Sequence, residues 1–166
     1  MKLVVDTNII FSALLKKESK ELDLLLRANY EFFIPKTLFV ELFKHKEKII
    51  QASKLEEDEI LELLYSILEK LEVVDDRNIP LKYRKEAYNL TKGIDLTDAI
   101  FVALVLFLNA KLWSGDKHLN STLTPKNQNF PIFGHFSPVI SDVPTTFFPI
   151  SSTRGGTAMP AALNPK

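Results

Sequence analysis

Hydrophobic residues along this chain fall into short runs separated by longer amphipathic stretches. Short runs rich in branched or aromatic side chains predict buried parallel strands. They are Lys2–Asp6, Glu31–Ile34, Val73–Val74 and Lys111–Ser114. Between them, apolar residues recur at helical spacing. The predicted helices are Ile9–Leu15, Glu21–Arg27, Thr37–Ala52, Leu55–Glu72 and Pro80–Lys92. This alternation predicts an α/β sandwich with a mostly parallel sheet.

The longest apolar run is Ala99–Leu108, which has no polar residue. It is too short to span a membrane, which takes about 20 apolar residues, so it predicts a buried helix. Asp98 precedes this run and shares one helical face with Phe101 and Val105. An ionised carboxylate on such a face is costly unless it meets a cation, a metal or several hydrogen-bond donors. Asp98 is therefore a candidate for chemistry.

The composition limits which partners the protein can attract by charge and which metal sites it can form. At 166 residues the chain is long enough for one domain with an ordinary core, and its formal net charge is zero. A bound polyanion would therefore be held by a metal or by a local basic patch such as Lys44–Lys48 or Lys82–Lys85. The chain has no cysteine, which excludes thiolate sites and fits a soluble cytoplasmic protein.

From Thr124 onward the composition changes. This part holds seven of the nine prolines and almost no charge. A last strand is predicted at Pro138–Ser141. The segment after Thr124 also contains five phenylalanines, which indicate that some of it packs against the rest of the protein. We therefore predict a domain over residues 1–141 and an irregular tail over residues 142–166.

Acidic residues stand at the ends of several predicted elements. Asp6 ends the first strand and Asp116 follows the last one. Ligands bind at the carboxyl ends of parallel strands, so these two acids would lie at one edge of the sheet. Each acid taken alone also has an ordinary structural explanation: Asp6 as a helix cap, Asp116 as a turn residue.

The remaining acids lie on helices. Each also has an ordinary structural explanation. Asp95 would cap the apolar helix, and Asp98 would lie in its first turn, where the helix dipole favours an acid. Glu41 could form a surface pair with His45. Taken together, clustered carboxylates repel one another unless a divalent cation neutralises them. Oxygen ligands without cysteine or a histidine pair indicate Mg²⁺ or Mn²⁺ rather than zinc.

Four segments resemble, in order and spacing, the PIN-domain family of nucleases. They are Val4–Ile10, Val40–Leu42, Asp95–Ala99 and Leu112–Asp116. The resemblance implies a three-layer α/β/α fold, one or two Mg²⁺ or Mn²⁺ ions and cleavage of RNA. Many members form homodimers, and many are the toxins of VapBC-type pairs that bind an antitoxin protein.

The resemblance also implies roles for individual residues. Asp6, Glu41, Asp98 and Asp116 would form the acidic metal site, with Asp95 as a further acid. Two neighbours would support them: Asn8 by holding the Asp6 loop, and Ser114 by supporting Asp116.

Two other functions are compatible with parts of the sequence. A catalytically silent PIN-fold module that binds RNA or a protein is favoured by the zero net charge, but has no need of a complete acidic set. A receiver-like phosphorylation domain would use Asp75 or Asp76 as phosphoacceptor. It would also need paired acids at the end of the first strand, where this chain has Asp6-Thr7-Asn8.

Overall fold

The computed structural model describes residues 1–92, 97–126 and 130–133. The strands are β1 (Lys2–Val5), β2 (Glu31–Pro35), β3 (Leu71–Val74) and β4 (Lys111–Trp113). The helices are α1 (Thr7–Leu14), α2 (Lys20–Arg27), α3 (Leu38–Lys44), α4 (Lys46–Ala52), α5 (Glu57–Leu68), α6 (Leu81–Leu90), α7 (Asp98–Leu108) and α8 (Lys117–Lys126), with a 3₁₀ turn at Asp76–Asn78.

The four strands form one parallel sheet in the order β3-β2-β1-β4. Strand β1 lies inside the sheet, and Leu3–Val5 are fully buried, as expected for an apolar run covered on both faces. Val5 pairs with Trp113 of β4. The residues that follow these two strands therefore leave the same edge of the sheet side by side.

Helices cover both faces of this sheet and give a three-layer α/β/α sandwich, as predicted. Helix α7 packs on β1, β2 and β4 and is backed by α6, whereas α1, α2 and α5 pack together in another layer. Phe101–Val105 of α7 are buried, which confirms the buried helix. Asn109 ends α7 in the left-handed conformation, with φ of 49°, which asparagine tolerates better than most residues.

Two predicted helices are wrong in extent. The segment Thr37–Ala52 is not one helix, because His45 leaves the helical conformation and separates α3 from α4. The His45 ring packs edge-on against Phe11, 5.6 Å between centroids, and this tertiary contact is absent from any helical wheel of the segment.

The helix predicted at Leu55–Glu72 is shorter because its last residues pair with the sheet. In the structure α5 ends at Leu68, and Leu71 and Glu72 belong to β3, opposite Phe32 and Phe33. Helix α8 was not predicted. It begins directly after Asp116.

Residues 131–133 lie along the free side of β4. Ile132 forms a parallel bridge with Leu112, and Phe133 N–H donates to the Leu112 carbonyl at 2.7 Å. The strand predicted at Pro138–Ser141 and the tail 142–166 lie outside the described residues. No helix in the part of the chain that the structure describes is long and apolar enough to cross a membrane.

Candidate active site

Asp6 lies where β1 ends and is buried, with 6% of its surface exposed. It occupies the N-cap position of α1, but its side chain makes no capping hydrogen bond to that helix. Instead its Oδ2 accepts a hydrogen bond from the Ser114 hydroxyl, at the end of the neighbouring strand. The capping explanation for Asp6 therefore does not describe what its carboxylate does.

Ser114 joins the ends of β1 and β4. Its Oγ donates to Asp6 and accepts from the Asp116 N–H at 3.0 Å. Asn8 braces the same corner, because its Oδ1 accepts from the Gly115 N–H at 3.1 Å. The structure thus brings Asn8 and Ser114 into contact with the two strand ends that carry Asp6 and Asp116.

One further residue fixes this corner and was missed in the sequence. The Asn120 side-chain N–H donates to the Ser114 carbonyl at 3.2 Å, and Asn120 is 8% exposed. Asn120 lies on α8, which was itself not predicted, so no sequence signal pointed to it.

Glu41 reaches the same edge from α3. Its Oε2 accepts a hydrogen bond from the Thr7 hydroxyl, and Thr7 follows Asp6 directly. Thr7 is 5% exposed. Its position between Asp6 and Asn8 was the available signal for a role that was not predicted.

The electrostatics of Asp6 show that the acids influence one another. The pKa of Asp6 is raised to about 6, mainly by burial and in addition by repulsion from Glu41 and Asp116, although the Ser114 hydrogen bond lowers it. Three carboxylates that are distant in sequence thus share one electrostatic environment at the carboxyl edge of the sheet.

Asp116 has a structural role in addition. Its Oδ1 accepts from the N–H groups of His118 and Leu119, at 2.7 and 3.1 Å. It therefore caps α8, and both of these bonds use the same carboxylate oxygen.

Asp98 and Asp95 belong to the start of α7. Asp98 is the first residue of that helix and is half-buried. A helix that leads into a parallel strand starts at the carboxyl edge of the sheet, so Asp98 begins its helix on the side where Asp6 and Asp116 lie. Asp95 lies outside the described residues.

Among residues 1–92, 97–126 and 130–133, no group of three or more acidic, histidine or cysteine side chains is arranged to hold a metal ion. The chemistry of the donors nevertheless fits a hard divalent cation. All the candidate ligands are carboxylates, and a cation would offset both the burial of the Asp6 charge and its repulsion by Glu41 and Asp116, which together raise the pKa of Asp6.

The acids proposed for a phosphorylation site are engaged elsewhere. Asp75 forms an ion pair with Arg77, 2.6 Å between Oδ2 and Nη2, and the pKa of Asp75 is lowered by it. Asp76 Oδ2 accepts from both the N–H and the hydroxyl of Thr37, at the start of α3. Neither acid lies at the end of β1.

Comparison with known proteins gives the family. The family model of the PIN domain matches residues 4–129. The chain belongs to the PIN-domain family. The match includes all four candidate acids and excludes the tail, and it leaves the receiver-like alternative without support. No curated protein matches the chain.

A solved structure shares the fold of this PIN domain. One chain of the crystal structure of VapBC2 from Rickettsia felis, bound to a DNA fragment from their promoter, superposes with a TM-score of 0.59 at 20% identity. The alignment covers 81% of this chain and 98% of that chain. At this identity the similarity shows the fold.

Proposed function

We propose that this PIN domain is a metal-dependent endoribonuclease. The observation that carries the proposal is Asp6, a buried carboxylate whose pKa is raised to about 6 by burial and by repulsion from Glu41 and Asp116. A protein gains nothing in stability from gathering acids in this way. Their grouping is explained if they bind a cation that faces a phosphodiester.

The acids Asp6, Glu41, Asp98 and Asp116 would hold one or two Mg²⁺ or Mn²⁺ ions, with Asp95 as a further acid. A bound ion of this kind orients a phosphodiester, lowers the pKa of the attacking water and neutralises charge in an in-line displacement.

Thr7 and Ser114 orient the carboxylates in this proposal. Each donates a hydroxyl hydrogen bond to one oxygen of an acid, Thr7 to Glu41 and Ser114 to Asp6. A carboxylate fixed through one oxygen keeps the second oxygen in a defined direction, which limits the reorganisation needed to bind an ion. Asn8 holds Gly115, and with it the backbone that carries Asp116.

We also propose that the chain is the toxin of a toxin–antitoxin pair. Its family membership and its structural similarity to a chain of a VapBC2 complex support this. Phe43 of α3, the helix that carries Glu41, and Leu61 of α5 line one groove, and they are 82% and 53% exposed. Exposed apolar groups in proximity are typical of protein interfaces.

The test is cleavage of a labelled single-stranded RNA by the purified chain with Mn²⁺, with Mg²⁺ and with EDTA. We expect cleavage only when metal is present. Asp98→Asn should lower the cleavage rate at least about a hundredfold, because loss of a residue that merely orients a metal ligand already lowers activity by up to about that factor. Asp58→Asn is the matched control, because Asp58 is also a first-turn helix acid but is exposed on α5.

The outcomes distinguish the nuclease, the toxin and the silent binding module. Metal-dependent cutting that Asp98→Asn abolishes and Asp58→Asn retains supports the nuclease. Slow growth of bacterial cells that express the wild-type chain, but not Asp98→Asn, would support the toxin. A folded protein that binds RNA without cutting under any metal would favour the silent binding module instead.

A further inference from the structure

The outward face of α6 combines basic and aromatic side chains. Leu81 and Tyr88 lie two turns apart on one side of the helix, 57% and 49% exposed. Arg84 and Lys85 flank this pair on either side and are also exposed. We call these four residues the α6 basic face.

The orientation of this face is fixed by the opposite side of α6. Ala87 is buried, and the Tyr83 ring packs against Phe107 of α7 with centroids 5.7 Å apart. Because α6 packs on α7 along this side, the α6 basic face points to solvent.

The cations of α6 form no ion pair within the described residues. None of the ion pairs found there involves Lys82, Arg84 or Lys85, and the Lys82 ammonium lies 4.5 Å above the Tyr83 ring. In the other basic segment, Lys44–Lys48, one of the three lysines is paired, because the Lys46 ammonium lies 3.0 Å from the Glu57 carboxylate. Helix α6 carries these three cations and one exposed acid, Glu86, so it is a local positive surface in a protein with no net charge.

We propose that the α6 basic face binds a single-stranded segment of RNA. Arg84 and Lys85 contact consecutive phosphates, and an unstacked base lies on the exposed ring of Tyr88 beside Leu81. Alternation of cations with an accessible aromatic ring suits single strands, since their bases are free to stack on a side chain. A duplex would meet the phosphate contacts but offer no base to the ring.

This binding surface rests on the proposed function, because it is where the proposed nuclease would hold its RNA substrate. Helix α6 ends at Leu90 and α7 begins at Asp98. An RNA strand held along α6 is thus bound by the helix that directly precedes the candidate acid Asp98. Helix α6 would supply the positive charge for RNA binding, because the chain as a whole has no net charge.

Binding is measured by fluorescence anisotropy with a short labelled single-stranded RNA in EDTA, so that cleavage is not required. We expect Arg84→Ala with Lys85→Ala to weaken binding roughly tenfold. The slope of log K against log salt should become shallower by about 1.4, at about 0.7 for each lost phosphate contact on a single strand. Tyr88→Ala should weaken binding roughly tenfold, whereas Tyr88→Phe, which keeps the ring, should not.

The matched control replaces Lys16 and Lys70 with alanine, two exposed lysines that do not belong to α6. Equal loss of affinity and salt slope in the control would overturn the proposal, since charge alone would then explain binding. Equal loss in Tyr88→Phe and Tyr88→Ala, or equal affinity for a duplex of the same length, would overturn the stacking contact. Because the assay contains no metal, a chain that fails to cut RNA can still bind it on α6, and the two proposals fail separately.

Discussion

Asp6 is a charged side chain in an unfavourable position for stability. It is buried, repelled by Glu41 and Asp116, and compensated in part by the Ser114 hydroxyl. The shift of its pKa from 3.8 to about 6 corresponds to about 3 kcal/mol at neutral pH, as an upper bound. Residues that cost stability in this way are typical of functional sites.

We predict that Asp6→Asn raises the melting temperature in EDTA at pH 7. The gain should be several degrees, at about 2–4 °C for each kcal/mol in a chain of this size. Because the folded-state pKa of Asp6 is raised, the folded protein binds this proton more tightly than the unfolded chain does. The stabilisation that the proton supplies is complete below about pH 4 and is lost as the pH rises through about 6. The difference between variant and wild type should therefore be small at pH 4 and largest above pH 6.

Thermal unfolding followed by circular dichroism across this pH range measures the effect. Added Mn²⁺ should stabilise the wild type more than Asp6→Asn, since binding to the folded state raises stability by mass action. A variant that melts below the wild type at pH 7 in EDTA would contradict this account of Asp6.

Helix α3 carries Glu41 and is positioned by contacts at its first turn. Thr37 lies at its N-cap without capping the helix through its side chain. Its N–H and hydroxyl instead donate to Asp76, after β3, while its carbonyl accepts from the Glu41 N–H at 3.4 Å. A contact between the ends of β2 and β3 thus holds the first turn of the helix that carries Glu41.

We predict that Thr37→Val lowers cleavage more than its effect on stability explains. The substitution removes the hydroxyl but not the N–H bond, and should cost about 1–2 kcal/mol of unfolding free energy. Thr37→Ser keeps the hydroxyl and is the matched control. Cleavage is measured at a temperature where both variants are fully folded. Equal activity of the two would show that this bond does not position Glu41.

The described residues share one hydrophobic core, and its last buried residue in the chain lies close to the end of the family match. Buried apolar residues in the described part run from Leu3 to Phe130. Phe133 packs on Trp113, with ring centroids 5.9 Å apart, and the adjacent backbone bonds to β4. Residues 130–133 therefore belong to the folded unit, although the PIN-domain match stops at residue 129.

We predict that a chain ending at Ser141 melts within about 1–2 °C of the full chain, because the predicted tail 142–166 would then add little to the core. A chain ending at Asn129 should be less stable by at least about 2 kcal/mol, since it loses the burial of Phe130 and the contacts to β4. Differential scanning calorimetry of the three chains tests the boundary. Strong destabilisation by removal of residues 142–166 would show that the tail is part of the domain.

The sequence by itself determined the elements whose signals are local. The apolar run of β1 and the continuous apolar helix α7 were predicted correctly, because burial on all sides leaves an unbroken hydrophobic pattern. It also placed candidate acids at element ends, since strand ends are visible in the same pattern. It could not find the break at His45 or the start of β3, because these depend on packing against Phe11 and pairing with β2.

Only the tertiary structure distinguished acids that look alike in sequence. Asp6 and Asp116 both follow a strand and precede a helix, yet Asp116 caps its helix and Asp6 does not. The difference arises because Ser114 lies beside Asp6, and that contact joins residues 108 positions apart in the chain. Hydrogen-bond partners of a buried carboxylate come from neighbouring strands, so a linear pattern can name the acid, but only the fold can supply its partners.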